Sequence, residues 1–224
     1  LILATSDCAV NCRHCTRKNT VRKLAGMPSE NFFEPALAYV RANTGIREVI
    51  ISGGDPLLID AGLLDWLLGS VLLIPHVEVI RVGTRVPVVC PGLIDDSMAD
   101  LLKRKRPVWV NTQFNHPAEL TGAAIEACGK LTSRGIPVSN QSVLLRGIND
   151  SAELMVELCN ALQKNIIRPY YVFQCDPVKG TSHFMVPPAR ARDISLSVQN
   201  SVGGLACPRF VRDVPGRLSK TPLI

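Results

Sequence analysis

Short runs of β-branched and aliphatic residues alternate along this chain with longer segments whose apolar positions recur at helical spacing, the pattern of repeated βα units. Six runs read as strands: 1–6, 47–52, 77–83, 107–112, 137–144 and 168–175. Each is nearly continuous in apolar residues, as a parallel strand buried on both faces should be. Helices are predicted at 34–43, 60–73, 95–104, 118–133, 151–164 and 188–202. Several open on capping residues with acidic first turns, such as Asp95-Asp96-Ser97 and Asn149-Asp150-Ser151. A last apolar run, 209–214, leads into Pro215-Gly216 and a short C-terminal tail. No repeat, low-complexity stretch or linker divides the chain, so the expectation is a single α/β domain over residues 1–224.

Composition narrows the class. Apolar residues make up 46% of the 224 and charged residues 20%, which suits a packed core and excludes a largely disordered chain. The most apolar stretch, 63–74, is interrupted by Asp65 and followed by Pro75, too short and broken to span a bilayer. The chain opens at Leu1 with no signal-peptide pattern, so we expect a core segment cut from a longer cytoplasmic protein. The net charge of +6 includes the run Lys103-Arg104-Lys105-Arg106. At a helix C-terminus such cations complement the dipole, and no nucleic-acid partner is expected. Eight cysteines in a chain of this length point to thiols or metal ligands in preference to a disulfide scaffold.

Parallel α/β folds place their chemistry at the carboxyl ends of the strands. Polar residues gather there: Cys8 to Cys15 after the first strand, Ser52-Gly53-Gly54-Asp55 after the second, Thr84-Arg85, Asn111 to His116, Asn140-Gln141-Ser142 and Cys175-Asp176 after the others. The sharpest signal is Cys8-Ala-Val-Asn-Cys12-Arg-His-Cys15, a C-x3-C-x2-C spacing. Structural zinc takes four protein ligands, usually from paired knuckles, and no second pair exists here. A 4Fe-4S cluster on three cysteines fits better, because one iron stays open to a cosubstrate.

With that loop the sequence resembles the radical S-adenosylmethionine superfamily, whose motif follows the first strand of a partial (β/α)6 TIM-like barrel. Its second mark, a Gly-Gly-Glu or Gly-Gly-Asp turn after strand two, is matched by Ser52-Gly53-Gly54-Asp55-Pro56. Alone, that string reads as an ordinary turn. Longer strings are similar to one family within the superfamily, the lysine 2,3-aminomutases and their relatives. They are Cys12-Arg-His-Cys-Thr-Arg17, Ile51-Ser-Gly-Gly-Asp-Pro56, Ile74-Pro-His-Val77, Thr112-Gln-Phe-Asn-His-Pro117, Asn140-Gln-Ser-Val-Leu-Leu-Arg-Gly-Ile-Asn-Asp150, Arg168-Pro-Tyr-Tyr171, Gln174-Cys-Asp176 and Ser219-Lys-Thr-Pro222.

The resemblance implies an isomerase moving the amino group of L-lysine between C2 and C3, with a 4Fe-4S cluster, S-adenosyl-L-methionine and pyridoxal 5'-phosphate as cofactors. An aminomutase for glutamate or arginine, or a radical enzyme without pyridoxal phosphate, is the alternative. It implies that Cys8, Cys12 and Cys15 ligate the cluster and that Gly53, Gly54 and Asp55 serve S-adenosylmethionine, with Gln141 contacting its adenosyl group or the cofactor. Asp55 would steady the ammonium group of that cosubstrate. Lys220, in a C-terminal segment of about 205–224, matches the lysine that carries pyridoxal phosphate, with Tyr170 and Tyr171 flanking the pyridoxal ring or Tyr171 facing the core instead. By itself Lys220 reads as a surface tail residue. Arg17 matches the arginine for the substrate carboxylate, although it also reads as part of the basic run with Lys18, Arg22 and Lys23. Asp176 and Asp213 match the two carboxylates that receive the distal ammonium of lysine. His116 is either a cosubstrate contact or a structural histidine, and Gln113 stands where the family often has His.

The resemblance further implies an electron donor of the flavodoxin or ferredoxin type. Upstream arginines that bind the phosphate of the cofactor in the family precede Leu1. Ser151 replaces the cysteine used for an intersubunit zinc in some members, so any homo-oligomer is expected to lack that zinc. Cys90, Cys128, Cys159, Cys175 and Cys207 are expected to be ordinary thiols.

Overall fold

The computed structural model describes residues 1–18 and 28–223. Arg22 and Lys23 lie outside the described residues. The chain forms two compact units: Leu1–Asn11, Arg17–Thr112 and Glu126–Val138 make the first, and Cys12–Thr16, Gln113–Ile125 and Ser139–Ile224 the second.

In the first unit the order is β1 (Ile2–Thr5), α1 (Glu30–Ala42), β2 (Glu48–Gly53), α2 (Ala61–Leu72), β3 (Val79–Gly83), α3 (Val86–Val89), α4 (Asp96–Arg104) and β4 (Val108–Thr112). The four strands pair in chain order and in parallel. Register stacks Val49 beside Ile80 and Ile80 beside Val108, and all three are buried. Each such side chain contributes about 1.5–3 kcal/mol relative to exposure. The alternate positions carry Arg81 beside Trp109, with Arg81 ion-paired to Glu48. Asp60 and Asp95 cap α2 and α4 by accepting from Leu63 N and Met98 N.

The second unit holds β5 (Val138–Leu144, whose first residue belongs to the first unit), α6 (Ala152–Lys164), β6 (Arg168–Gln174), α7 (Pro188–Ser201), β7 (Arg209–Arg212) and β8 (Thr221–Pro222). Helix α5 (Gly122–Ser133) is divided between the units. β5 to β7 pair in parallel, and β8 returns antiparallel to β7. Ser151 caps α6 as its position suggested, accepting from Leu154 N.

All six predicted strands form, and three elements differ from expectation. Helix α1 begins at Glu30 instead of residue 34, because Ser29 accepts from Phe32 N and because Phe33, Leu37 and Val40 supply a buried stripe that outweighs Pro35 inside the helix. The helix predicted at 118–133 is instead a short 3-10 turn, Pro117–Glu119, followed by α5. His116 and Glu119 close the first around Pro117, and Thr121 accepts from Ala124 N to start the second. The C-terminal segment is not a free tail: its Thr221–Pro222 form β8, drawn in by backbone pairing with β7.

Candidate active site

In the first unit, the carboxyl end of β2 is bound to the chain that leads into the cysteine loop. Gly54 N donates to Thr5 O at 2.7 Å and Asp55 N to Asp7 O at 2.6 Å. Gly53 has φ +126°, and a Cβ on Gly54 would come within 2.0 Å of Asp7 O. What the glycines admit here is backbone rather than a ligand. Asp55 is 5% exposed. It accepts from Thr84 Oγ1 at 2.6 Å, Arg85 N at 2.7 Å and Leu57 N at 3.2 Å. Burial raises its carboxyl above the ordinary range, against the lowering effect of those bonds. Asp55 thus ties the turn after β2 to the end of β3. Thr84→Val removes the hydroxyl donor but keeps the shape, and we expect a loss of about 1–3 kcal/mol in urea unfolding.

Arg17 is half-buried. Its Nη1 donates to Ser52 Oγ at 2.6 Å and to Gly53 O at 3.4 Å, so it belongs to the end of β2 and not to a solvated basic face. Arg104 and Lys105 of the other basic run pair with Asp65 at 3.6 Å and 2.9 Å.

All eight cysteines stand outside disulfides. Burial pushes the Cys128 thiol up to about 12, and Cys159, also beside Cys207, up to about 12. Such thiols are poor ligands. Cys8 is exposed and Cys12 and Cys15 are half-buried. Cys8 lies in the first unit and the other two in the second, where Cys15 N donates to Cys12 O in a tight turn. Among the described residues no three His, Cys, Asp or Glu meet where one metal ion would sit. A 4Fe-4S cubane binds each thiolate through a different iron and needs no such single point, so three accessible thiols on one short loop fit it by donor chemistry. In the same turn His14 Nε2 lies 3.1 Å from Gln113 Nε2 at the end of β4.

In the second unit the segment that follows β4 and the end of β5 are organised by three asparagines. Asn140 Nδ2 donates to Phe114 O while its Oδ1 accepts from Phe114 N at 2.6 Å. Asn115 Oδ1 accepts from Val143 N, and Asn149 Nδ2 donates to Asn115 O. His116 Nδ1 accepts from Ala118 N, the structural one of its two expected roles. Gln141 sits on the opposite side of β5 from Asn140 and Ser142, half-buried and beside Tyr171 in register.

Register also explains the two tyrosines. Asn140 pairs with Pro169 but Gln141 with Tyr171, so Tyr170 is the extra residue of a bulge. The bulge lets the Tyr170 and Tyr171 rings lie 3.9 Å apart, with Arg168 over Tyr170 and Phe173 5.3 Å from Tyr171. Lys220 Nζ lies 5.1 Å from the centre of the Phe173 ring and 2.6 Å from Asp213 Oδ2. Asp176 is half-buried; burial first, then the negative charge of Asp213, raise its carboxyl, while Lys220 lowers it. The structure therefore brings Lys220, Asp213 and Asp176 into one electrostatic neighbourhood in this unit.

Ser52, Thr84, Phe173 and the pair Asn115 and Asn149 were not singled out from sequence. Ser52, Thr84 and Asn115 lie at strand ends already marked as polar, a usable signal. Phe173 looks like any strand aromatic.

Residues 2–159 match the Radical SAM superfamily model. Along its full length the chain is 43% identical to L-lysine 2,3-aminomutase of Methanococcus maripaludis and 42% identical to that of Clostridium subterminale, spanning 52% and 54% of those proteins. It is 38% identical to glutamate 2,3-aminomutase of Clostridioides difficile, spanning 53% of it. The chain thus spans about half the length of the curated relatives it matches. Streptococcus suis SuiB, solved with S-adenosylmethionine, superposes with a TM-score of 0.71 at 18% identity, over 95% of this chain and 49% of that one. That likeness concerns the fold alone, the partial (β/α)6 TIM-like barrel class expected from sequence. The cysteine loop, the Gly-Gly-Asp turn tied to it and the match over most of the chain lead to one conclusion: this chain belongs to the radical S-adenosylmethionine superfamily, whose members use a 4Fe-4S cluster and S-adenosylmethionine.

Proposed function

We propose that the full protein is an L-lysine 2,3-aminomutase, an isomerase that interconverts α- and β-lysine, and that this chain is its catalytic domain. The observation that carries this reading is the ammonium site of the second unit, where Asp213 grips an alkylammonium with Asp176 close by. Two carboxylates favour a substrate with a distal positive charge and disfavour glutamate. Whole-length similarity to lysine aminomutases supports the same substrate.

Cys8, Cys12 and Cys15 would hold the cluster, Gln141 would contact S-adenosylmethionine, and Gly53 and Gly54 would serve it indirectly, by letting the turn close on the chain before Cys8. Asp55 does so mainly by fixing the turn. Lys220 would hold pyridoxal phosphate, with Tyr170 and Tyr171 on β6, the strand that also carries Phe173. When bound, the cluster and S-adenosylmethionine supply the hydrogen-abstracting radical, and pyridoxal phosphate supplies the π-system through which nitrogen moves between C2 and C3. Arg17 binds the substrate carboxylate through its guanidinium fork, with Ser52 orienting it. Asp176 and Asp213 hold the distal ammonium, which fixes that end of the substrate against the second unit. An electron donor of the flavodoxin or ferredoxin type, a cytoplasmic setting and an assembly without intersubunit zinc complete the proposal.

The test is anaerobic reconstitution of the full-length protein with iron, sulfide, pyridoxal phosphate and S-adenosylmethionine, followed by product analysis on a panel of amino acids. β-Lysine from lysine is expected; β-glutamate from glutamate as the main product overturns the substrate assignment. Asp176→Asn is expected to weaken lysine binding roughly 10–100-fold. The pH dependence follows from the raised carboxyl of Asp176. It takes up its proton at a less acidic pH than an ordinary aspartate, so lysine affinity falls early on the acid side. Asp213→Asn removes a charge that raises Asp176 and moves this acid limb to lower pH. Stability linked to Asp176 has the opposite sense: it is present at acid pH and lost as pH rises through the raised value.

A further inference from the structure

The β7–β8 hairpin determines what the lysine candidate touches. Val211 pairs with Pro222 and Arg212 with Thr221, so the next positions outward in the same register are Asp213 and Lys220. Cross-strand neighbours at that spacing meet. Lys220 Nζ accordingly donates to both oxygens of Asp213, at 2.5 Å and 2.6 Å, and lies over the Phe173 ring at 5.1 Å. Asp176 feels both partners, its carboxyl raised by Asp213 and lowered by Lys220. Two carboxylates and an aromatic face are what an alkylammonium seeks. Lys220 presents an ammonium on a four-carbon stem, the same group that free lysine presents.

We propose that the ammonium of Lys220 occupies the seat of the substrate's distal ammonium in the cofactor-free chain, and competes with lysine for it until pyridoxal phosphate takes Lys220 away. This rests on the function proposed above. The two occupants exclude each other because Asp213 Oδ1 and Oδ2 both face Lys220 Nζ and leave no second bidentate position. Lysine then binds more tightly once the cofactor is in place. By linkage, each strengthens the binding of the other.

Calorimetric titration of L-lysine and L-norleucine into full-length protein free of pyridoxal phosphate tests this, comparing wild type with Lys220→Met. The variant should bind lysine roughly two- to fivefold more tightly than wild type, the modest factor reflecting a half-exposed ion pair. Norleucine, which lacks the distal ammonium, should show no gain. Equal lysine affinity in the two proteins overturns the proposal. So does a matching gain for norleucine, which would mean that only space had been created, and so does the absence of lysine binding in both proteins. A second measurement follows the absorption of protein-bound pyridoxal phosphate. Asp213→Asn frees Lys220 and should tighten cofactor binding by a similar factor; unchanged or weaker binding counts against the shared seat. If wild type and Lys220→Met give the same cofactor absorption, the cofactor role of Lys220 falls while a gain in lysine affinity leaves the seat standing. If the absorption depends on Lys220 but lysine affinity does not change, the seat alone falls.

Discussion

Cys12→Ala in the full-length protein is expected to abolish both cluster assembly and aminomutase turnover. Cys12 and Cys15 share one turn, joined by the Cys15 N to Cys12 O bond, and Cys8 lies four residues before Cys12 on the same segment. With one thiolate gone, two remain for three irons, and Cys128 and Cys159 cannot substitute, being buried with thiols raised to about 12. Loss of an outer-shell partner costs roughly 10–100-fold in metal affinity or activity, and loss of a ligand should exceed that. Iron and sulfide content after anaerobic reconstitution, together with the visible absorption of the cluster, measures the effect. Full iron content with unchanged β-lysine yield would remove Cys12 from the cluster. Cys128→Ala is the control, expected to keep iron and turnover and to change only stability.

Gly54→Ala should be the most damaging single methyl group in the first unit. Its Cβ would lie 2.0 Å from Asp7 O and 2.7 Å from Asp7 C, both backbone atoms with no flexible side chain to yield. Accommodation requires residues 6 and 7 to move, and they lead directly into Cys8. Overpacking of this kind costs about 1–3 kcal/mol, and the bonds from Gly54 N and Asp55 N to Thr5 O and Asp7 O would be strained as well. Urea unfolding and iron content per folded molecule should both fall. Gly92→Ala provides the contrast, because nothing lies within 4 Å of its Cβ position, and it should stay within about 0.5 kcal/mol of wild type. A Gly54→Ala protein with wild-type stability and a full cluster would show that the turn does not position the cysteine loop.

Strand positions were legible because parallel strands here are short, apolar on both faces and separated by helices with recognisable caps. Helix boundaries were harder to read where one local rule opposed another. α1 starts before the predicted residue 34, because the Ser29 cap and the stripe of Phe33, Leu37 and Val40 prevail over Pro35: burying three large side chains outweighs one lost backbone bond. β8 was invisible: two residues carry no periodicity, and only the facing edge of β7 makes them a strand.

The sequence by itself determined the chemistry available to this protein. Three cysteines within eight residues, a Gly-Gly-Asp turn at the end of a strand and a lysine near the C-terminus are covalent facts, and their spacing is independent of packing. Tertiary structure decided what those groups touch. The glycines of the turn serve the chain before Cys8, Asp55 spends its carboxylate on Thr84, Arg85 and Leu57, and Arg17 reaches Ser52. Asp213 meets Lys220 through the register of a hairpin that no periodicity announces. Such pairings depend on strand register and on bulges, which arise from backbone hydrogen bonds between distant segments, and so they are settled only when the chain folds.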